Sequence, residues 1–212
     1  MNYLNTRAIM RPVKNPSTPP PIPDIAWFKL DGNILDYRGD NVGKTGATAN
    51  QELYTAYFNQ RSCFLCDGSN YITLPSIIHP TTFTFSCWIN MVLITNYSRV
   101  FDYNSGFRLI FRAKILELSF NDAYTITFKT TLQNVWKHIA FTVDGANLTA
   151  FENGFPLPVV TITPLVANPA LYSGYIAKSF GGDPNATGAY SDFRIYGTVL
   201  SNLEIMGLFY KR

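Results

Sequence analysis

Alternation of hydrophobic and polar residues characterises much of the chain after Ile25. In FTFSCWIN every second residue from Phe83 to Ile89 is apolar, and the intervening residues, which include Trp88, fall on the other face. A period of two is the period of a β-strand. Other short segments of this kind, separated by turn-forming residues, are IAWFKL, SCFLC, YITLP, RVFDY, FRLIF, ILELSF, YTITF and SDFRIY.

Further strands follow towards the C-terminus. VWKHIAFTV alternates again, and LTAFENG and FPLPVVTI form a predicted hairpin across Asn153 and Gly154, a strong turn signal. More than ten short strands without interleaved helices exclude a parallel α/β sheet. The pattern therefore predicts an all-β fold over residues 24–212: a two-sheet antiparallel sandwich of the jelly-roll kind.

One short C-terminal helix interrupts the β pattern. Ser201 stands three residues before Glu204, as in a capping box, and Leu203, Met206 and Phe209 or Tyr210 then supply an apolar stripe. One or two turns are unstable alone in water, so the helix must pack on the sandwich. We expect it to plug an open end of the core, with SDFRIY lying beside the first strand.

Residues 1–23 form a predicted proline-rich extended arm. Five prolines between Pro16 and Pro23 favour polyproline geometry. The hypothesis is that this arm contacts neighbouring chains, and an unanchored leader is the open alternative. The candidate contact residues are Arg7, Arg11, Pro19, Pro20 and Pro21.

Composition narrows the classes of partner and compartment. A net charge of +3 with no run of Lys or Arg gives no indication of nucleic-acid binding. No uninterrupted apolar stretch is long enough for a membrane span, and the N-terminus lacks the apolar region of a signal peptide. Three cysteines, an odd number, fit a reducing compartment. We therefore expect intracellular synthesis.

Six segments in order resemble the laminin-G-like or concanavalin-A-like lectin/glucanase domains, over residues 25–212. They are WFKLDGNILDYRGDN, CFLCDGSNYITLP, FTFSCWIN, VWKHIAFTVDG, FENG and SDFRIYGTVLSNLEIMGLFY. The resemblance implies a concanavalin-A-like sandwich. Because large DNA viruses carry similar domains, it also suggests a minor capsid or virion protein.

Glycosidases in this family need paired carboxylates flanking the bond. None of the four glutamates, Glu52, Glu117, Glu152 and Glu204, has an acidic residue two positions away, so we expect no enzymatic activity.

Cys63 and Cys66 lack the partners of a zinc site and are interpreted as buried, inert thiols. His138 is expected to be a hydrogen-bonded structural residue.

The resemblance implies one possible ion, a structural Ca²⁺. Many family members hold calcium through an opening Asp/Gly turn and a closing Asp strand, and Asp31, Asp36 and Asp192 stand at comparable positions. Ser191 replaces a further Asp of the family pattern. The alternative is that Asp192 pairs with an arginine or caps a turn.

A ligand face is the remaining candidate site. Trp88 and Trp136 both fall opposite the inward residues of their strands, and exposed indoles stack on sugars or anchor proteins. The alternative is that a loop or the arm covers them. Rim residues that could add polar contacts are Tyr97, Arg99, Asp102 and Tyr103.

Two functional hypotheses follow. The main one is a non-catalytic structural or interaction module of a larger assembly, with other protein chains, such as capsid proteins, as partners. The alternative is a carbohydrate-binding lectin-type domain that recognises glycans through a Trp-bearing face or rim loops. Fold alone does not decide between them.

Overall fold

Two antiparallel sheets pack face to face in the computed structural model. The model describes residues 19–30, 56–58, 61–79, 81–93, 97–103, 107–112, 115–120, 124–128, 133–164, 168–179 and 185–211. One sheet has nine strands and the other six. This confirms the predicted fold class, an all-β sandwich with a short C-terminal helix.

The described part of the chain contains fifteen strands and one helix. The elements are β1 (Ala26–Phe28), β2 (Ala56–Phe58), β3 (Arg61–Asp67), β4 (Ile72–His79), β5 (Thr82–Leu93), β6 (Arg99–Tyr103), β7 (Phe107–Arg112), β8 (Ile115–Phe120), β9 (Tyr124–Thr127), β10 (Lys137–Asp144), β11 (Asn147–Glu152), β12 (Phe155–Pro156), β13 (Val160–Thr161), β14 (Asn168–Ile176), β15 (Thr187–Tyr196) and α1 (Asn202–Tyr210).

The nine-stranded sheet has the order β12-β11-β10-β5-β15-β3-β2, with β1 also on β15 and β13 on β11. The predicted β11–β12 hairpin is present, and its turn residues Asn153 and Gly154 both have positive φ, 52° and 82°, as a tight two-residue hairpin requires. The closing strand β15 pairs with the opening strand β1, Phe28 facing Phe193. The predicted closure of the sandwich by the first and last strands is thus confirmed.

The six-stranded sheet has the order β4-β14-β6-β7-β8-β9. The hydrophobic pattern does not predict β14, which lies between β4 and β6. Its sequence holds Pro169 and Gly174, and two register shifts against β4 break the period of two. Gly174 is required because a Cβ there would lie 2.6 Å from the ring of Tyr103.

An aromatic cluster fills the space between the sheets. Phe85 of β5 stacks on Phe101 of the other sheet and on Phe141, with ring centroids 4.8 and 4.9 Å apart. Phe193 contributes an edge-to-face contact at 4.9 Å. Contacts of this geometry add to the stabilisation from burial of the rings.

Helix α1 packs on the outer face of the nine-stranded sheet, so the prediction that it plugs an open end of the core is wrong. Ile205 and Leu208 join Ala140, Phe151, Tyr196 and Leu200 in a second buried cluster. The predicted capping box is present, with the Glu204 amide donating to Ser201 Oγ. Leu203 is 67% exposed, contrary to the predicted stripe, because Ile205 and Leu208 offer a second apolar face that the sheet buries.

Only the end of the predicted arm lies among the described residues. Pro19 is exposed and Pro20 and Pro21 are half-buried, without regular secondary structure, whereas Arg7 and Arg11 lie outside the described residues. The arm stays a prediction. Within the described ranges, no helix is long and apolar enough to cross a bilayer.

Candidate functional site

A row of hydrogen-bonding side chains crosses all six strands of the smaller sheet on its outer face. Each member faces the next in register across neighbouring strands, over roughly 24 Å at ~4.8 Å per strand. We call this surface the polar face. Its row consists of Thr73, Tyr175, Asp102, Arg108, Ser119 and Thr125.

Strand alternation explains why the polar face exists. Each residue of its row is adjacent in sequence to a buried apolar residue, because consecutive side chains point to opposite faces. The apolar row beneath is Ile72, Ile176, Phe101, Leu109, Leu118 and Ile126. Burial of that row fixes which side chains the polar face presents.

The centre of the polar face is withdrawn from solvent. Asp102 and Ser119 are 3% and 2% exposed, whereas Tyr175 and Arg108 are half-buried and Thr125 at the edge is exposed. A simple solvated face would leave its central polar groups in water. Burying polar groups costs free energy unless they form hydrogen bonds or ion pairs. The centre of the polar face is therefore polar and buried, and the residues on either side of it are more exposed.

Asp102 is an ionic centre of the polar face. Its Oδ2 lies 3.5 Å from Arg99 Nε, and its Oδ1 lies 3.6 Å from Arg108 Nε. One carboxylate therefore orients two guanidinium groups. Of these, the Arg108 side chain is 30% exposed and the Arg99 side chain 10%, so Arg108 is the more exposed of the two.

Tyr71, Tyr175 and Lys178 form an aromatic–cation cluster beside Asp102. The two rings meet edge to face at 5.6 Å between centroids. The Lys178 ammonium lies 3.8 Å from the Tyr71 centroid and 4.9 Å from that of Tyr175. All three residues are half-buried, so they combine apolar ring surface with a cation at accessible positions.

The rim residues named from the sequence divide between the two sides of the sheet. Arg99 and Asp102 lie on strand β6, where they form an ion pair on the polar face, and their role as ligand contacts stays a prediction. Tyr103 is a correction: it is buried in the core against Gly174. Tyr97 is 49% exposed and immediately precedes β6.

Trp88 does not lie on an open ligand surface. It is 2% exposed and its indole stacks on Phe209 of α1 at 5.6 Å. The expectation that Trp88 lies on a ligand face is therefore wrong, because the C-terminal helix covers its indole. Trp136 is half-buried just before β10.

His138 also lies beneath the helix. Its Nε2 is 2.8 Å from Ser86 Oγ, and both residues are buried. A serine–histidine pair can support nucleophilic catalysis only where substrate reaches it. This burial confirms the structural interpretation of His138 and adds Ser86 as its partner, on the neighbouring strand β5 and opposite Ala140 of β10.

Asp192 pairs with an arginine, which is the expected alternative to calcium binding. Its Oδ1 accepts hydrogen bonds from Trp27 Nε1 and Arg194 Nε at 2.8 and 2.7 Å. Burial lowers the pKa of Arg194, but the Asp192 carboxylate offsets this and the net shift is upward. Asp31 and Asp36 lie outside the described residues, so structural calcium stays a prediction.

The residues that the structure describes do not by themselves supply a metal site. No group of three or more Cys, His, Asp or Glu side chains comes together among them. The charge of Asp192 is balanced by Arg194. Asp192 therefore fits a structural role at the bulge where β15 passes from pairing with β3 to pairing with β1.

Cys63 and Cys66 are buried, as predicted, and so is Cys87; burial makes all three thiols poor nucleophiles. Burial raises the pKa of Cys63 to about 11. Burial and the nearby Asp67 charge raise the pKa of Cys66, and burial and the Asp192 charge raise that of Cys87. The thiolate is the reactive form.

We expect the native thiols to resist iodoacetamide at pH 8. At a pKa of about 11 roughly one Cys63 in a thousand is ionised, against about one in four for a free thiol. Alkylation followed by mass spectrometry should therefore proceed at least about 100-fold faster in guanidinium chloride. Modification of any cysteine at the unfolded rate in native protein would contradict this burial.

Two carboxylates among the described residues share the polar face, Asp102 and Glu117. Glu117 faces Ile110 on β7 and pairs with Arg112 at 3.6 Å. Asp102 lies two strands away and two positions along, which puts their Cα atoms roughly 12 Å apart by strand geometry. Both carboxylates form ion pairs with arginines.

Comparisons with solved structures agree with the sandwich. Domain 4 of AbnA, a GH43 extracellular arabinanase from Geobacillus stearothermophilus, solved with arabinotriose, is 19% identical, with a TM-score of 0.69 over 86% of this chain and 96% of that domain. The ligand-binding domain of botulinum neurotoxin serotype D, solved with N-acetylneuraminic acid, is 21% identical, with a TM-score of 0.67 over 87% of this chain.

The binding domain of Paraclostridial Mosquitocidal Protein 1 is 16% identical, with a TM-score of 0.65 over 87% of this chain. The chain spans about half the length of this domain and of the neurotoxin domain, 51% and 50%. At such identities the similarity shows the fold alone. No curated protein was found to match the chain.

A family model matches residues 67–206, more than half of the chain. The matched segment includes all six strands of the polar face and the first five residues of the helix that covers Trp88. The motifs quoted from the sequence, the antiparallel sandwich and this match agree. The chain belongs to the concanavalin A-like lectin/glucanases superfamily, as a Laminin_G_3 domain.

Proposed function

We propose that this chain is a non-catalytic carbohydrate-binding module that holds its saccharide on the polar face. The observation that carries the proposal is the cross-strand row with a buried polar centre, flanked by half-buried tyrosines. Saccharide recognition needs both parts: hydrogen-bonding groups for hydroxyls and ring surface for the C–H faces of a sugar.

Tyr175 is the central contact of this proposal. It faces Asp102 on β6 and Thr73 on β4, so a sugar against its ring is within reach of groups from three strands. Arg108 and Asp102 extend the hydrogen-bonding surface by one further strand. A sheet holds these groups more rigidly than a loop, which reduces the entropy lost on binding.

The comparisons support a binding role over a structural role in an assembly. The arabinanase domain and the neurotoxin domain were solved with saccharide ligands, and none of the three structures named is a capsid protein. The capsid hypothesis has no support from these comparisons. The superfamily name includes glucanases, so hydrolysis has to be tested directly.

The test is binding to a glycan array, followed by calorimetry with the oligosaccharides retained. We expect Tyr175→Ala to weaken binding at least about tenfold, equivalent to ~1.4 kcal/mol. Trp136→Ala is the matched control, because it also removes a half-buried aromatic residue, but one that immediately precedes β10 of the other sheet.

Three results would overturn the proposal. One is the absence of binding to any glycan, and another is loss of binding on Trp136→Ala with Tyr175→Ala unaffected. The third is cleavage of a bound glycan that disappears in Glu117→Gln, since this would make the polar face a catalytic groove. Circular dichroism of each variant confirms that the fold persists.

A further inference from the structure

Lys178 lies over the tyrosine rings that flank the centre of the polar face. Its ammonium is 3.8 Å from the Tyr71 centroid and 4.9 Å from the Tyr175 centroid. The two rings meet edge to face, with their centroids 5.6 Å apart, so one ammonium group contacts both of them. A sugar that stacks on an aromatic ring needs the ring face. The faces under Lys178 are therefore occupied by a side chain of the same protein.

An unusual backbone conformation at Ala177 places Lys178 on this side of the sheet. Tyr175 and Lys178 are three positions apart, and in a regular strand an odd spacing puts two side chains on opposite faces. Strand β14 ends at Ile176, and Ala177 then has a φ of 65°, in the left-handed region that residues with a Cβ adopt at a cost in free energy. The resulting change of direction brings Lys178 back over the ring of Tyr175.

The backbone beside Lys178 is fixed by its neighbours. The Ala177 amide donates to the Val100 carbonyl at 3.0 Å, and the Ala177 carbonyl accepts from the Ala186 amide at 3.2 Å. Ala177 and Ser179, on either side of Lys178, are both buried. Strained backbone that the surrounding structure holds in place is concentrated at ligand clamps and switch regions. The Cα of Lys178 is therefore held beside the rings, and its flexible side chain is the part that moves when a ligand displaces it.

We propose that Lys178 regulates the saccharide site by competing with the sugar for the ring faces of Tyr71 and Tyr175. This rests on the proposed function. A saccharide that stacks on these rings displaces the ammonium, and the lost cation–π contact subtracts from its affinity. Sugars that contact only the tyrosines are therefore bound weakly, whereas a saccharide that also hydrogen-bonds to Asp102 or Arg108 offsets the loss. The lysine thus selects ligands that cover more of the polar face.

The first experiment measures the affinity of Lys178→Ala by calorimetry, on the full chain and with the oligosaccharides that the glycan array retains. We expect this variant to bind them about three- to tenfold more tightly than the wild-type chain, because no cation–π contact has to be broken. Lys178→Arg keeps a cation that stacks on aromatic rings, so its affinity should not exceed the wild-type value.

Lys211→Ala is the matched control for Lys178→Ala. Lys211 is an exposed lysine that directly follows α1, and α1 packs on the other sheet. Its truncation removes the same side chain and the same charge away from the tyrosines, so saccharide affinity should stay at the wild-type value. An equal gain in affinity for both variants would mean that a general loss of positive charge, and not release of the rings, strengthens binding.

The second experiment follows the displacement itself by NMR. The ε-methylene protons of Lys178 lie near two aromatic rings in the free protein, so ring currents should shift their resonance upfield, and Lys178→Arg identifies the signal by its loss. We expect the shift to disappear as saccharide is added, in parallel with saturation measured by calorimetry. A lysine that only stabilises the fold would keep its shift at saturation, which would refute the competition.

Failure of this proposal is distinguishable from failure of the proposed function. Equal or weaker binding by Lys178→Ala, together with loss of binding on Tyr175→Ala, refutes the competition and retains the saccharide site. Weaker binding would make Lys178 a direct ligand contact. If neither the wild-type chain nor Lys178→Ala binds any glycan, both proposals are refuted.

Discussion

Replacing Phe85 by alanine is expected to cost about 3–5 kcal/mol of unfolding free energy. Phe85 is 1% exposed and touches the rings of Phe101, Phe141 and Phe193 within 5 Å between centroids. Its removal leaves a cavity between the sheets that rigid neighbours cannot fill. Urea denaturation should show the loss, and Tm should fall by roughly 6–20 °C.

Val92→Ala is the matched control for Phe85→Ala. Val92 lies on the same strand, β5, but is 46% exposed, so its truncation should change stability by less than about 0.5 kcal/mol. Equal effects of the two substitutions would mean that Phe85 does not occupy the core. A domain of this size has only about 5–15 kcal/mol to lose, so Phe85→Ala is a large perturbation.

Leu208→Asp is expected to detach helix α1. Leu208 is 1% exposed in the second cluster, and an unpaired carboxylate there is strongly unfavourable. We expect a loss of more than about 3 kcal/mol. Because α1 covers Trp88, tryptophan emission should shift to longer wavelength and acrylamide quenching should increase.

Leu203→Asp tests the same helix with the same chemistry. Leu203 is 67% exposed, so this substitution should alter neither Tm nor tryptophan emission. If Leu208→Asp left Trp88 shielded, the helix would not be its cover, and Trp88 would return as a candidate ligand contact.

Part of the polar face could be named from the sequence. Arg99 and Asp102 were predicted as ligand contacts, whereas Tyr71, Tyr175, Lys178 and Arg108 were not. Tyr175 was missed because it lies on β14, whose register shifts break the alternation. The sequence does show a tyrosine between Gly174 and Ile176. Its register partners, however, are Asp102, 73 residues away in the sequence, and Thr73, which is further away still.

Local patterns determined the elements of this protein: the strands with clear period two, the hairpin turn at Asn153–Gly154, and the capping box of Ser201 and Glu204. These depend on residues a few positions apart, whose steric and hydrogen-bonding preferences act before any long-range contact forms. That is also why the antiparallel sandwich itself was predictable.

Only the tertiary structure decided which surfaces meet. The amphipathic segments are compatible with several partners, and the outcome depends on how much apolar area each arrangement buries. Burial of Ile205 and Leu208 placed α1 over Trp88 and closed that face. Pairing of β14 with β6, distant in sequence, brought Tyr175 beside Asp102.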